Sequence, residues 1–179
     1  MSRYPPSPER SEAMRWGRAR VLLAAVLLLG AVLAPAARAL ENLNAFPQSA
    51  LEIRTQTGSQ RFNIWIADTP ARSEQGLMFV RSLPADQGML FPQDAPRVMH
   101  MWMKNTLIPL DMLFIDAKGH IVAIHERAIP RSEEIISSST AVKAVLELAG
   151  GECATLGIRV GDQVRHQLFG SAIGGPARN

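Results

Sequence analysis

The chain has 179 residues, 47% of them hydrophobic and 20% charged, with a formal net charge of +3 and one cysteine. That is a one-domain length with apolar residues enough for a core, and a single cysteine excludes an intramolecular disulfide. The first 39 residues hold six Arg and two Glu, which leaves 13 basic and 14 acidic residues beyond them. No basic patch then remains to argue for nucleic acid or an anionic membrane.

Arg15, Arg18 and Arg20 lead into VLLAAVLLLGAVLA at 21–34, followed by Pro35 and the Ala37-Arg38-Ala39 triplet. A basic start, a short apolar run and an A-x-A end make a secretory signal, with cleavage expected after Ala39. The run is near the lower limit for crossing a bilayer and Pro35 interrupts it; a retained anchor helix is the alternative. The expectation is an exported protein, periplasmic or secreted, that meets the membrane only through this leader. Cys153 sits in GGECATLG without an adjacent His or Lys to activate it, which reads as a packed thiol.

Residues 40–49 read as a polar linker. ALEIRTQTG (50–58) and QRFNIWIAD (60–68) are two alternating runs around Gly58-Ser59, the pattern of a β-hairpin. Thr69 can cap a short helix with Pro70 at its first position, Leu77 and Met78 turned inward, and Gly76 at its end or against the sheet. SLPADQG (82–88) is a loop, MLF (89–91) a short buried strand, and PQDAPR a turn region. LDMLFIDAKGHIVAIHERA (110–128) reads as two strands around Lys118-Gly119. A polar loop follows at 130–140, then a strand from Ala141, a helical turn in ECATLG closed by Gly157, and a last strand after Gly161-Asp162. About eight short strands with one or two small helices imply a mainly β (α+β) fold: a small antiparallel, barrel-like single domain over 50–168. Residues 169–179 are expected as a disordered tail.

The stretch RVMHMWMKNTLIPLD (97–111) is the chemically richest. In a strand, Val98, His100, Trp102 and Lys104 share one face and Met99, Met101 and Met103 the other. Thioethers suit Cu(I), so an all-methionine copper site at Met99, Met101 and Met103 is one reading, with His100 on the wrong face unless a bulge intervenes. Core packing is the other, and Met78, Met89 and Met112 show that methionine is used freely here. Downstream, Lys104, Asn105, Thr106 and Asp111 gather around one bend. They form either a structural clasp, in which Asn105 and Thr106 bond local backbone, or a pocket with Trp102 as its wall.

Trp102-Met103-Lys104-Asn105-Thr106, Pro109-Leu110-Asp111, Gly76-Leu77-Met78 and Gly88-Met89-Leu90-Phe91 all fit one pattern. So do Arg72, Arg81, Gly119, Leu146-Glu147-Leu148 and Gly161-Asp162. From about Leu51 to Gln167 the chain resembles the uncharacterised family known as domain of unknown function one hundred ninety-two. The resemblance implies a small β-rich domain, often exported. It brings no activity, ligand or catalytic residue, and His100 and Met101 lie outside its pattern.

No nucleophile motif or metal-ligand spacing argues for an enzyme. A cell-envelope hydrolase would have to draw on Asp68, Asp111 and Asp116, because His125 and Glu126 are strand neighbours that point apart. The expectation is a non-catalytic, monomeric or weakly associating module. It would bind a small ligand or an envelope protein at Trp102, Lys104, Asn105, Thr106 and Asp111, with no cofactor evident beyond the Cu(I) alternative.

Overall fold

The computed structural model of the protein describes Leu40–Ser171; the expected leader and residues 172–179 lie outside the described residues. Nine strands form: β1 (Gln48–Thr55), β2 (Gly58–Ile66), β3 (Gln87–Arg97), β4 (His100–Met101), β5 (Leu110–Ile115), β6 (Ile121–Ala128), β7 (Ile136–Ser137), β8 (Val142–Ala149) and β9 (Gln163–Arg165). Two short α-helices, α1 (Pro70–Gln75) and α2 (Glu152–Leu156), and two 3₁₀ turns complete it. Seven strands make one sheet in the order β6-β5-β8-β3-β2-β1-β9, and β4 pairs with β7 in a separate ribbon.

The mainly β class with two short helices is as expected, but the sheet is mixed and stays open. β2 and β3 run parallel, joined by the crossover that carries α1. The edge strands meet at one corner, where residues 119–121 bond 161–164 around an isolated His120–Gln163 bridge, but no continuous ladder closes the sheet into a barrel. Both of its faces are covered. One carries Phe46, Leu77, Met89, Phe91, Met99, Met101, Met103, Met112 and Phe114. The other carries Leu51, Ile53, Phe62, Leu90, Leu113, Leu146, Cys153 and Val164. This is why β5, LDMLFI, is buried at every position and shows no alternation.

Local chemistry explains the first elements. The hairpin forms, although its turn is Gln56-Thr57, with Thr55 opposite Gly58. Thr69 accepts a hydrogen bond from the Arg72 N–H at 3.2 Å and Pro70 opens α1. Gly76 ends it at φ +49°, and a Cβ there would lie 3.3 Å from the Phe91 ring, so both expected reasons for a glycine hold.

Three expectations are corrected. The 40–49 segment is not a free linker: Phe46 is buried, and the Arg72 guanidinium holds Glu41 at 2.7 and 3.0 Å and the Ala45 carbonyl at 3.1 Å. The PQDAPR segment belongs to β3, whose register slips between Pro92, opposite Ala144, and Arg97, opposite Val142. That bulge absorbs residues that prolines keep out of a regular ladder. Phe169 is not in a loose tail; it closes a 3₁₀ turn at Gln167–Phe169 and packs on the second core.

Candidate functional site

The alternation expected for 98–104 is observed. Met99, Met101 and Met103 are buried, while Val98, His100, Trp102 and Lys104 face out. Only His100 and Met101 form ladder pairs, with Ser137 and Ile136. Met99 extends the ribbon, exchanging main-chain and hydroxyl hydrogen bonds with Ser138 at 2.9 Å. The bend that follows is tied from several sides. Met103 N–H donates to Ser132 O and Arg131 N–H to Thr106 O, both at 3.0 Å; Phe79 N–H donates to Asn105 O at 2.9 Å. Asn105 holds the left-handed conformation at φ +58°, which asparagine tolerates better than most residues.

The five residues expected around this bend separate into two groups. Trp102 and Lys104 form a rim, with the Lys104 ammonium 5.4 Å from the indole centroid. Thr106 is buried beside them, and all three line one cleft. Asn105 is exposed and turns its amide toward the Met78 sulfur at 3.8 Å. Asp111 is elsewhere. It is fully buried, its Oδ1 accepts from the N–H groups of Arg127 (2.8 Å) and Gly151 (2.9 Å), and its Oδ2 accepts from Cys153 N–H (2.9 Å). That carboxylate is a clasp among β5, β6 and the start of α2, and it is not among the cleft's lining residues.

The cleft lies between α1 with its Gly76–Met78 exit and the His100–Thr106 segment, over Phe91 and Glu147 of the sheet. Its volume is about 60 Å³, room for a few waters or one small head group. Glu147 is the residue that sequence reasoning misses. It stands in register between Met89 and Met112, the only acid in an apolar strand, and is 4% exposed. Among the described residues its carboxyl accepts no hydrogen bond, and burial is the only influence on its proton affinity; it lines the cleft, where its oxygens meet solvent. Burial alone pushes it up to about 8 from an ordinary 4.5. The signal in the sequence is that acid inside the run 144–149.

Two larger hollows lack such a group. One of about 550 Å³ runs between the Ala67–Ser73 turn and the β3 bulge, and its Asp68 is bound by Arg72 at 2.7 Å. One of about 380 Å³ contains His166. There the Leu168 N–H donates to Nδ1 at 3.2 Å, so in the neutral ring Nε2–H donates to the Ser49 hydroxyl at 3.0 Å. Burial lowers the affinity of this histidine for a second proton. Ser49 therefore accepts the hydrogen bond, the reverse of an activated nucleophile.

The other candidate catalytic groups are similarly committed. For Asp116, burial works to raise the carboxyl, but the N–H groups of His120 and Lys118 outweigh it and hold it below its ordinary range. Asp68, Asp111 and Asp116 each serve a separate local structure. Burial, with Asp111 beside it, pushes the Cys153 thiol far up, so it stays protonated.

Residues 52–166 match the DUF192 family, described as "Uncharacterized ACR". The chain belongs to that family. No curated protein matches it. Among solved structures, it is similar to a Sinorhizobium meliloti 1021 protein described as a "putative transcription regulator". Identity is 41% and the TM-score 0.67, with 69% of this chain and 96% of that one covered. It is also similar to a protein of unknown function from Novosphingobium aromaticivorans DSM 12444. Here identity is 32% and the TM-score 0.68, with 74% and 94% covered.

Two consequences can be measured. Asp111→Asn replaces one acceptor oxygen with a donor facing a backbone N–H, and should lower unfolding free energy by about 2–4 kcal/mol in a urea titration. For Glu147 the folded chain holds its proton up to about pH 8, whereas the unfolded chain releases it near 4.5. Its contribution to stability is thus lost as pH rises through that window. Glu147→Gln should therefore be more stable than the parent at pH 8, on the order of 1–3 kcal/mol, with the advantage closing toward pH 4.5.

Proposed function

We propose that this DUF192 domain is an exported, non-catalytic binding module, with its site in the cleft between α1 and the His100–Thr106 segment. The observation that carries the reading is Glu147, a buried side chain whose carboxyl accepts no hydrogen bond among the described residues and lines the cleft. Burying such a group without a partner costs stability, and a ligand that supplies the partner recovers it. Trp102 adds an apolar plate at the mouth, and Lys104 and Thr106 add polar contacts, the mixture from which small-ligand sites are built. Of the residues expected to bind, Trp102, Lys104 and Thr106 stay in the site. Asn105 supports the bend, and Asp111 supports the fold.

The leader motif supports export, and no helix among the described residues is long and apolar enough to cross a membrane. The regulator description belongs to the Sinorhizobium protein. Here the near balance of acidic and basic residues beyond Ala39 offers no electrostatic footprint for DNA.

The site is tested by screening small fragments against protein labelled at its methionine methyl groups. Hits should move the Met78 and Met101 signals, and Trp102→Ala should weaken them about tenfold or more without changing the melting temperature. Hits confined to other signals, or indifferent to Trp102→Ala, would remove the cleft as the site. For export, the mass of the protein recovered from the cell envelope should correspond to a chain beginning at Leu40; an intact leader there would make it an anchor instead.

A further inference from the structure

The cleft has donors at its wall and rim, in Ser73, Gln75, Lys104 and Thr106, while its floor and apolar lining are acceptors. Glu147 contributes a carboxyl, Met78 and Met101 thioether sulfurs, and Phe91 and Trp102 aromatic rings. All of these are acceptors or present negative ring faces. Trp102 already carries a cation, since the Lys104 ammonium lies over its indole. The titratable side chains facing the cavity are Glu147 from β8, Glu74 from α1, His100 from β4 and Lys104 from the bend. His100 is engaged, its Nδ1 lying 2.7 Å from the Ser137 hydroxyl. On either side of Glu147 the sheet offers only Met89 and Met112.

Different ligands would meet different costs here. An anion could pair with the Lys104 ammonium at the rim, but it would meet a desolvated carboxyl at the floor and Glu74 at the wall. A hard divalent ion needs six or so oxygen ligands, and the lining cannot offer them. A Cu(I) ion takes thioethers and has no need of the carboxyl. A group with several N–H donors, a positive charge and a short apolar stem satisfies the carboxyl, the sulfurs and the rings together.

We infer that the cleft takes a small primary alkylammonium, its N–H groups donating to the Glu147 carboxylate and its stem packed on Met101, Phe91 and Trp102. The inference rests on the proposal that the cleft is the binding site, and it adds the chemical class of the ligand. The cavity of about 60 Å³ limits the ligand to a compact head. Binding is coupled to proton release. The Glu147 carboxyl is protonated below about pH 8 and only its ionised form attracts an ammonium. Affinity then rises with pH up to about 8 and levels off above it, until the amine itself loses its proton.

The probe is n-propylammonium, titrated at pH 6, 7, 8 and 9 into the methionine-labelled full chain. The expected result is movement of the Met78 and Met101 methyl signals, with affinity falling about tenfold per pH unit below pH 8. Glu147→Gln should remove that pH dependence and most of the affinity. Propionate or 1-propanol shifting the same signals, with affinity that falls above pH 8, would overturn the ammonium assignment and leave the cleft as a binding site. So would silver(I), a stand-in for Cu(I), if it moved Met99, Met101 and Met103 equally in Glu147→Gln while the amine moved none. If fragments bind the cleft in a Trp102-dependent way and propylammonium does not, the ligand class is wrong and the site stands. If neither binds, both fall.

Discussion

The Asp111 carboxylate holds this structure in register. It collects three backbone N–H groups, from Arg127 in β6 and from Gly151 and Cys153 where β8 turns into α2. Two of those donors sit at positive φ, Arg127 at +50° and Gly151 at +99°, a conformation costly for the arginine and free for the glycine. A buried carboxylate is tolerable when several N–H groups replace its water, and these donors are aimed by turns that would otherwise leave them unpaired. The same junction is fixed a second time, by the Gly150 N–H donating to Pro109 O at 2.9 Å. The bend, the end of β8 and the start of β5 thus share one anchor.

That anchor bears on the cleft without entering it. Asp111 is opposite Leu148, which sets Met112 opposite Glu147 and turns Glu147 toward the methionine face. A slip of one residue would send the acid to the other core and bring Leu148 to the cavity floor. The Trp102–Asp111 motif therefore does two jobs in sequence. Its first half shapes the mouth of the cleft, and its last residue fixes the register that places the floor.

What the sequence revealed depended on how local the cause was. The Thr69 cap, the Pro70 start and the Lys118-Gly119 turn are set by neighbours within a few residues, and they were legible. So was the inward set of Met99, Met101 and Met103, because burial alternates along extended backbone even where only two residues form ladder bonds. The parallel pairing of β2 with β3 was not legible, since nothing near either strand specifies its partner. The docking of Glu41 and Phe46 was hidden for the same reason, because Arg72 reaches them across about thirty residues of chain. Asp111 was legible in part: the clasp reading fits it, but its carboxylate binds amides 16, 40 and 42 residues away, which nothing near it in sequence identifies. Glu147 was harder still. Its significance is a missing partner, and that becomes visible only when every surrounding donor has been placed.

The two buried acids of the central strands are best understood against each other. Asp111 has three donors; Glu147, on the neighbouring strand, has none among the described residues and lines the cleft of about 60 Å³. The fold can evidently satisfy a buried carboxylate, so the bareness of Glu147 is not a general looseness of packing. Protonation makes the buried acid tolerable, since a neutral carboxyl in contact with water loses far less than an ionised one. A leucine at 147 would remove even that residual cost. The acid at this position makes physical sense when the cavity is filled by something that wants the carboxylate, and stability is then recovered through binding.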